Sequence, residues 1–228
     1  MDFNEQHYKQ FEGSAVGDWR GRTAAIWIKS VKHTLASSSQ GVLINKPFSR
    51  TDLFRLSRDR SISTLDLCVF VFAWGGMQPS NGKQILKNTE WVEVADSLRS
   101  DEFDHHQGYE RFFRLSRAGK MPGCLPAYYT KLLFYLPRDG ERGIIMDQWT
   151  ARSINLLTGT QLVKLLPYNK GKSFRVSPDN GTAVYKNFCA TVRELATCLN
   201  RPVEEIEMRM FSEGNGKGDW RNYVRAVG

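Results

Sequence analysis

The chain has 228 residues, of which 41% are hydrophobic and 25% charged, an ordinary composition for a globular protein. Its formal net charge is +8, which favours a polyanionic partner, nucleic acid first and an anionic membrane second. A basic protein without such a partner is the alternative. No apolar run approaches the roughly 20 residues that span a bilayer, and the polar start MDFNEQHYKQ does not resemble a signal peptide.

The four cysteines show no spacing typical of a metal site. The sequence has no CxxC motif and no Cys/His ligand pattern, and three of the cysteines lie in apolar contexts, where a free thiol packs as a small hydrophobic group. We therefore expect reduced thiols, a cytoplasmic location and no zinc, iron–sulfur cluster or other cofactor. The cysteines are Cys68, Cys124, Cys189 and Cys198.

Helical patterns dominate along the chain, and they predict eight to ten helices in a mainly α, compact bilobed fold that forms one domain over residues 1–228. One segment, 61–77, allows a strand over 67–73 as an alternative, because Val and Phe are common there. Helices are predicted over 17–35, 48–60, 61–77, 89–100, 102–119, 127–136, 147–157, 182–199 and 202–211, and turns or loops over 36–41, 78–83, 120–126, 137–143 and 168–181.

Capping residues set the predicted ends of several helices. The predicted caps and stops are Ser49 or Thr51, Ser63, Gly75-Gly76, Thr89, Gly119, Asp147 and Gly159, with Pro202 in the first turn of the last helix. In the helix 102–119 the side chains expected to face inward are Phe103, Phe112, Phe113 and Leu115.

A glycine-containing turn joins two predicted helices in the segment YERFFRLSRAGKMPGCLPAYYTKLLFYL. The N–H groups of such a turn, around Gly123 and Cys124, and the start of the next helix can hold a phosphate. Arg114, Arg117 and Lys120 lie just before the turn and supply positive charge. A helical hairpin without a ligand has the same pattern, so the nucleic-acid site is one of two interpretations.

Lys131 is the only charged residue between Ala127 and Leu136. The residues three and four positions away carry no charge, which indicates a buried face or the wall of a pocket. Desolvation in such a place favours a neutral amine that can attack a carbon centre. A lysine at a helix edge that extends into water is the alternative.

Asp147 interrupts the apolar run in GIIMDQWTARS. Aspartate is a favoured N-cap, which gives it a structural role at the start of the helix. A carboxylate fixed in that way can also stabilise a cationic transition state or accept a proton. Both roles are compatible.

The two segments MPGCLPAYYTKLLFYL and IIMDQWTARSINLL together resemble the helix-hairpin-helix DNA glycosylase superfamily, in the branch of the 8-oxoguanine glycosylases. The resemblance covers residues 108–157: Met121-Pro122-Gly123 matches the opening of the hairpin, and Asp147 matches the essential aspartate of the family. Leu125 replaces the second hairpin glycine, and the position of the family lysine falls on Ala127, one helical turn before Lys131.

The resemblance implies an enzyme that bends duplex DNA, flips a modified purine such as 8-oxoguanine into a pocket and cleaves its N-glycosidic bond. Asp147 would stabilise the sugar cation, and Lys131 would be the nucleophile of an AP-lyase step. The base would stack on an aromatic side chain, for which a place in the core is the alternative role. The candidates for stacking are Trp149, Trp74 and Tyr128, and further Trp220 and Tyr223 in the basic tail.

The departures from the family pattern leave a second interpretation open, a diverged module of the same fold that binds DNA or a modified purine without chemistry. A helical adaptor whose charge is incidental is a third. Some proteins with this fold are associated with bacterial antiviral operons, which gives an alternative to a repair pathway. The expected partner is double-stranded DNA and not a membrane, and the expected state is a monomer.

Overall fold

The structure is a computed structural model, and it describes residues 3–17, 19–138, 141–168, 173–211 and 218–227. This part of the chain is mainly α, as predicted, with twelve α-helices rather than eight to ten, one short 3-10 helix and one two-stranded sheet. The elements are α1 (Glu5–Glu12), α2 (Ala24–Val31), the 3-10 helix (Ser37–Ser39), α3 (Arg50–Arg58), α4 (Thr64–Trp74), α5 (Pro79–Ile85), α6 (Trp91–Arg99), α7 (His105–Arg117), α8 (Pro126–Tyr135), α9 (Gln148–Thr158), β1 (Leu165–Tyr168), β2 (Ser173–Val176), α10 (Thr182–Cys198), α11 (Val203–Phe211) and α12 (Asp219–Val227).

The chain divides into two compact units. The central unit is Arg20–Gly143, and the terminal unit combines Met1–Trp19 with Ile144–Gly228. Within the described residues no helix has both the length and the apolar character needed to cross a membrane. The single domain over 1–228 stays a prediction.

Helix α4 forms the core of the central unit. The side chain of Ser63 caps its first turn by accepting a hydrogen bond from the Asp66 N–H, and every residue from Asp66 to Trp74 is buried. Helices α2, α3, α6 and α8 pack around it, which is the environment expected for a helix that is apolar on all sides. The predicted cap and the stop at Gly75 are confirmed, and the alternative strand over 67–73 is wrong.

Helix α9 has the same role in the terminal unit, where α1, α10, α11, α12 and the sheet pack against it. Its predicted ends are both confirmed: Asp147 is the N-cap, and Gly159 is the C-cap in the left-handed region at φ 64°. The side chains of Ala151, Ile154 and Leu157 are fully buried along one stripe, which is the spacing expected of an amphipathic helix.

Three helices lie where the sequence did not predict them. The segment QPSNGK was predicted as a turn, yet α5 begins there with Pro79 in its first turn, and Gly82 lies against α2, where an added Cβ would be 2.5 Å from Trp27 Cζ2. Its proline and glycine are thus a helix start and a close approach rather than a turn. The other two helices, α1 and α12, are short terminal ones, so α11 is not the last helix.

The predicted loop over 168–181 is wrong at residues 168 and 173–176, which lie in strands, and is confirmed over 177–181. Strands β1 and β2 pair antiparallel, with Leu165 opposite Val176 and Tyr168 opposite Ser173. Each strand has four residues, and only Val176 is buried, so the alternation that signals a strand is too short to be recognised. Residues 169–172 lie outside the described part of the chain.

Several helix boundaries differ from the predictions. Helix α2 is shorter than 17–35 because Lys32 adopts the left-handed region at φ 58°, and α6 is capped by Glu90 rather than Thr89. Pro202 directly precedes α11 instead of lying in its first turn. Of the predicted inward residues around α7, Phe112 is buried, Phe113 and Leu115 are half-buried, and Phe103 is half-buried but precedes the helix. The other buried residues of α7 are His105, Gly108 and Tyr109.

Candidate active site

Helices α7 and α8 pack against each other in the central unit and are joined by residues 118–125. Gly119 ends the first helix at φ 73°, and Gly123 lies in the turn at φ 77°, a region that favours glycine. The N-cap of α8, Leu125, has no side-chain oxygen to cap the first turn. In the described residues the N–H groups of Gly123 and Ala127 form no hydrogen bond, so two donors of this turn are available to a ligand.

Gly123 and Cys124 take different positions in this turn. An added Cβ at Gly123 would be 2.9 Å from both Cα and Cβ of Asn81, so this glycine is packed on its Cα side and half-buried. The N–H of Cys124 donates to the Met121 carbonyl at 3.1 Å, and its side chain is 1% exposed. Burial raises the pKa of the Cys124 thiol, with the nearby Lys131 acting in the opposite direction. Cys124 therefore closes the turn rather than offering a donor.

The three cations before the turn lie on the surface, and the acidic partners of Arg114 and Lys120 are also exposed or half-buried. Arg114 pairs with Glu110 one helical turn earlier, and Lys120 Nζ lies 2.6 Å from Glu90 Oε2. The hydrogen bond from Lys120 lowers the pKa of Glu90. Arg117 is exposed. Because exposed pairs of this kind contribute little, a phosphate can displace the acidic partners.

Lys131 lies on the buried side of α8 and is only 6% exposed, so it does not extend into water as the alternative required. Its side chain runs back along the helix, the direction in which helical side chains point. Nζ donates to the Ala127 carbonyl at 2.6 Å and lies 5.8 Å from the centre of the Tyr128 ring. The amine is thus next to position 127, where the family lysine was expected.

Gly75, the C-cap of α4, makes room for the Lys131 side chain. An added Cβ at Gly75 would lie 2.7 Å from Cδ and 2.9 Å from Cε of Lys131. The backbone of Gly75 is at φ −71° and ψ 0°, a conformation that any residue adopts. Glycine is therefore required at this position because the lysine side chain approaches closely, and not because of the backbone dihedral angles.

Two of the three proposed stacking residues belong to the central unit. Tyr128 is half-buried beside Lys131. Trp74 is 2% exposed and packs edge-on against Tyr135, with ring centroids 5.1 Å apart. Its indole N–H has no hydrogen-bond partner within the described residues. In this structure Trp74 is a core residue, and a stacking role for it stays a prediction.

Asp147 begins α9 in the terminal unit and is 8% exposed. Its Oδ1 accepts hydrogen bonds from the N–H groups of Trp149 at 2.8 Å and Thr150 at 3.2 Å, and the Thr150 hydroxyl accepts one from the Asp147 N–H. This capping box holds the carboxylate in one orientation. Both bonds to the side chain go to Oδ1, so within the described residues Oδ2 has no hydrogen-bond donor.

Trp149, the third stacking candidate, is half-buried and surrounded by arginines that the sequence analysis did not select. The guanidinium carbons of Arg221, Arg225 and Arg152 lie 4.4, 5.1 and 5.3 Å from the centre of its ring. Arg152 follows Trp149 by one turn of α9, and the other two are one turn apart in α12. The i, i+4 spacing of Arg221 and Arg225 is present in DWRNYVR, but the glycine-rich residues before this segment favour a tail rather than a helix.

The two further aromatic candidates in α12 have internal partners. Trp220 is fully buried, donates to Ser153 Oγ at 2.8 Å and packs edge-on against Phe11. The hydroxyl of Tyr223 lies 2.8 Å from His7 Nδ1. Trp220 is thus a core residue that fixes α12 on α9.

Comparison with protein families identifies the relationship. A model of the family described as "putative 8-oxoguanine DNA glycosylase OGG-like protein" matches residues 18–211. The chain belongs to this family. No curated protein and no solved structure matches the chain. The OGG-like match includes the hairpin, Lys131 and Asp147, but leaves out α12, which carries Arg221 and Arg225. The description of the family gives no support to a role in antiviral defence.

Proposed function

We propose that this OGG-like protein is a DNA N-glycosylase that excises a modified purine, such as 8-oxoguanine, from duplex DNA. Asp147 carries the proposal: it lies in the part of the chain matched by the family model, and its carboxylate is fixed by the helix start while one oxygen has no donor among the described residues. A carboxylate that is held in place but not neutralised suits a reaction that develops positive charge.

In the proposed reaction the bond between C1′ of the flipped nucleotide and N9 of the purine breaks, and the base leaves with the electron pair and takes up a proton. The sugar becomes oxocarbenium-like, and Asp147 stabilises it electrostatically. Oδ1 stays bonded to the α9 N–H groups, so the carboxylate needs no rearrangement during the reaction.

Lys131 is proposed as the nucleophile of a lyase step. In its neutral form the amine adds to C1′ and loses a proton, and the C1′–O4′ bond then breaks to give an imine. Loss of a C2′ proton expels the 3′ phosphate, and water hydrolyses the imine to release the enzyme. Burial of the side chain and the backbone acceptor at Ala127 support this role, because they hold the amine at the start of α8 and away from bulk water. If water attacks C1′ instead, the protein is a glycosylase without lyase activity.

The α7–α8 hairpin is proposed to hold the DNA backbone in the manner of a helix-hairpin-helix motif. The free N–H groups of Gly123 and Ala127 and the uncapped start of α8 support this, together with Arg117 and Lys120. A diverged module that binds DNA or a modified purine without chemistry is the second candidate. It is favoured by the missing second hairpin glycine at Leu125.

The test uses a duplex with a single 8-oxoguanine, treated with hot alkali after incubation so that any abasic product is cut. Wild type is expected to give strand scission, and Asp147→Asn to reduce its rate by about 100-fold or more, since the charge is lost. Asparagine is as good an N-cap as aspartate, so the melting temperature should hardly change. Asp104→Asn is the matched control, because Asp104 caps α7 with a similar capping box.

Three outcomes separate the candidates. Scission lost in Asp147→Asn but kept in Asp104→Asn supports the glycosylase. Scission at a similar rate in both variants means that Asp147 is only a cap. No scission by wild type on 8-oxoguanine or on a panel of other oxidised and alkylated purines, with duplex binding retained, supports the diverged binding module.

A further inference from the structure

Two of the three arginines around Trp149, Arg152 and Arg221, are held in position by hydrogen bonds within the terminal unit. Arg152 Nη2 donates to the Val224 carbonyl at 2.9 Å, and Arg221 donates to the Phe211 carbonyl through Nε at 3.1 Å and Nη2 at 2.6 Å. Together with the Trp149 ring the three arginines form what is called here the Trp149 cluster: Trp149, Arg152, Arg221 and Arg225. The guanidinium groups of Arg152 and Arg221 are oriented before any ligand arrives, which lowers the entropic cost of binding.

The Trp149 cluster concentrates positive charge in a partly desolvated place. Arg221 is 6% exposed, and burial lowers its pKa, as does Arg225, while Asp147 acts in the opposite direction. Burial and Arg225 also lower the pKa of Arg152. All three groups nevertheless remain charged, because guanidinium is not deprotonated in proteins. Like charges around one ring repel each other, so an anion that binds among them is strongly favoured.

The nearby carboxylate of Asp147 does not neutralise the Arg221 guanidinium group. Asp147 is close enough to influence Arg221, but no ion pair within 4.0 Å joins them among the described residues, and its Oδ1 is committed to the α9 N–H groups. Nη1 of Arg221 has no acceptor in the same part of the chain. A ring needs only one cation for a favourable contact, so packing against Trp149 does not account for three.

We propose that the Trp149 cluster binds a phosphodiester of DNA, one of the two that flank the nucleotide on which Asp147 acts. This inference rests on the proposed glycosylase function. Arginine presents paired donors that match phosphate oxygens, and Asp147 is joined to the cluster through the N–H of Trp149. A phosphate there would place its own deoxyribose beside the carboxylate, so the cluster orients the sugar for Asp147.

The test measures binding rather than excision. The probe is a duplex with one tetrahydrofuran abasic-site analogue, which cannot react, and its dissociation constant is determined from 50 to 200 mM salt. Arg225→Gln is the main variant because Arg225 is exposed, so the fold should tolerate its loss. It is expected to weaken binding about tenfold and to reduce the salt slope by about 1. Arg201→Gln, an exposed arginine of the same unit that pairs with Glu205, removes the same charge and should leave the slope unchanged.

Two further duplexes identify the phosphate. Each carries a neutral methylphosphonate in place of the phosphate on one side of the abasic analogue. When the methylphosphonate replaces the phosphate that the Trp149 cluster binds, the affinity of wild type should fall about tenfold. The affinity of Arg225→Gln, which is already weakened, should fall little further. Arg221→Gln should behave as Arg225→Gln does, provided that its melting temperature shows a folded protein.

The outcomes separate this inference from the proposed function. The phosphate site would be overturned if Arg225→Gln and Arg201→Gln changed the salt slope equally. It would also be overturned if, on both sides of the abasic analogue, the methylphosphonate lowered the affinity of wild type and of Arg225→Gln by the same factor. Either result would hold even if wild type excises 8-oxoguanine. If wild type excises nothing but the coupled losses appear, the phosphate site stands and the glycosylase proposal fails.

Discussion

Gly75 and Lys131 depend on each other at the level of single atoms. The stem of Lys131 occupies the space that a Cβ at Gly75 would take, at 2.7 and 2.9 Å from Cδ and Cε. The adjacent Gly76 is a glycine for another reason, because its φ is 72° and an added Cβ would meet nothing within 4 Å. Of these two neighbouring glycines, only Gly75 positions the candidate nucleophile.

We therefore predict that Gly75→Ala impairs the chemistry of Lys131 more than the stability of the protein. A methyl group at position 75 pushes the lysine stem aside, and a displacement of about 1 Å can cost about 100-fold in rate. The measurement is borohydride trapping of the imine on a duplex with a true abasic site at saturating DNA. Lys131→Gln should give no adduct, and Gly75→Ala should slow adduct formation by about tenfold or more, with an unchanged dissociation constant.

Gly13→Ala is the matched control for this pair. Gly13 is also a helix C-cap, at φ −77° and ψ −6°, and its added Cβ would have its nearest neighbour, the Lys9 carbonyl oxygen, at 3.7 Å. It should trap DNA at the wild-type rate. Trapping that survives Lys131→Gln would assign the nucleophile to another residue. Equal trapping by Gly75→Ala and Gly13→Ala would show that the amine tolerates displacement.

The sequence was most informative for residues whose chemistry is local. The cap at Asp147 depends on neighbours within one helical turn, so it could be predicted. The sequence left open whether Lys131 is buried or extends into water, because its burial depends on packing against the end of α4. Gly75 appeared only as a helix stop, because its steric role depends on α8, more than fifty positions away along the chain. The contact of Arg221 and Arg225 with Trp149 likewise joins α12 to α9, and no local pattern contains it.

At the scale of whole elements, two cations of the α7–α8 hairpin are paired with acidic residues, which is not expected of a site for a polyanion. Lys120 is joined to Glu90, which precedes α6, and Arg114 to Glu110 within α7. The sequence shows that the cations lie just before the turn, but Lys120 and Glu90 are thirty positions apart, so their ion pair could not be predicted. A phosphate that binds at the turn must compete with these carboxylates.

We predict that Glu90→Gln increases the affinity for duplex DNA. The substitution removes the acidic competitor of Lys120 and leaves an amide that can still accept a hydrogen bond. Because an exposed ion pair is weak, the gain should be modest, up to about fivefold. Lys120→Glu should weaken binding to all sequences alike, since phosphate contacts carry no sequence information. Both effects can be measured by fluorescence anisotropy with undamaged duplexes of two unrelated sequences.

Glu93→Gln serves as the control for the loss of one negative charge near the start of α6. If it increases affinity as much as Glu90→Gln does, the gain comes from net charge and not from the release of Lys120. If Glu90→Gln lowers affinity, or Lys120→Glu affects only one of the two sequences, the hairpin does not hold the backbone as proposed.

Elements with strong periodicity or clear caps were predictable, whereas elements stabilised by packing were not. Helix α4 is apolar on all sides and has a serine cap, so both its type and its ends followed from the sequence. Helix α5 contains proline and glycine, and its Gly82 is understandable only from its approach to Trp27. The hairpin β1–β2 has four-residue strands, too short for an alternating pattern.

At the scale of the whole molecule, the net charge of +8 acts through a small set of arginines and lysines on the two proposed DNA-binding surfaces. The hairpin of the central unit contributes three and the Trp149 cluster of the terminal unit another three: Arg114, Arg117, Lys120, Arg152, Arg221 and Arg225. Arg114 and Lys120 must exchange the acidic partners that the structure shows for a phosphate, so we expect between about four and six phosphates to be neutralised.

This number predicts the salt dependence of binding. Each neutralised phosphate contributes a slope of about −0.9 to the logarithm of the association constant against the logarithm of salt concentration. The slope for duplex DNA should therefore lie between about −3.6 and −5.4. It should be nearer the steeper value in Glu90→Gln, where Lys120 is released. Anisotropy titrations of wild type and Glu90→Gln from 50 to 200 mM salt provide both slopes. A slope close to zero, or no binding at low salt, would exclude a backbone-held duplex and with it the glycosylase proposal. A steep slope that Glu90→Gln leaves unchanged would keep DNA as the partner but move the backbone contacts away from Lys120.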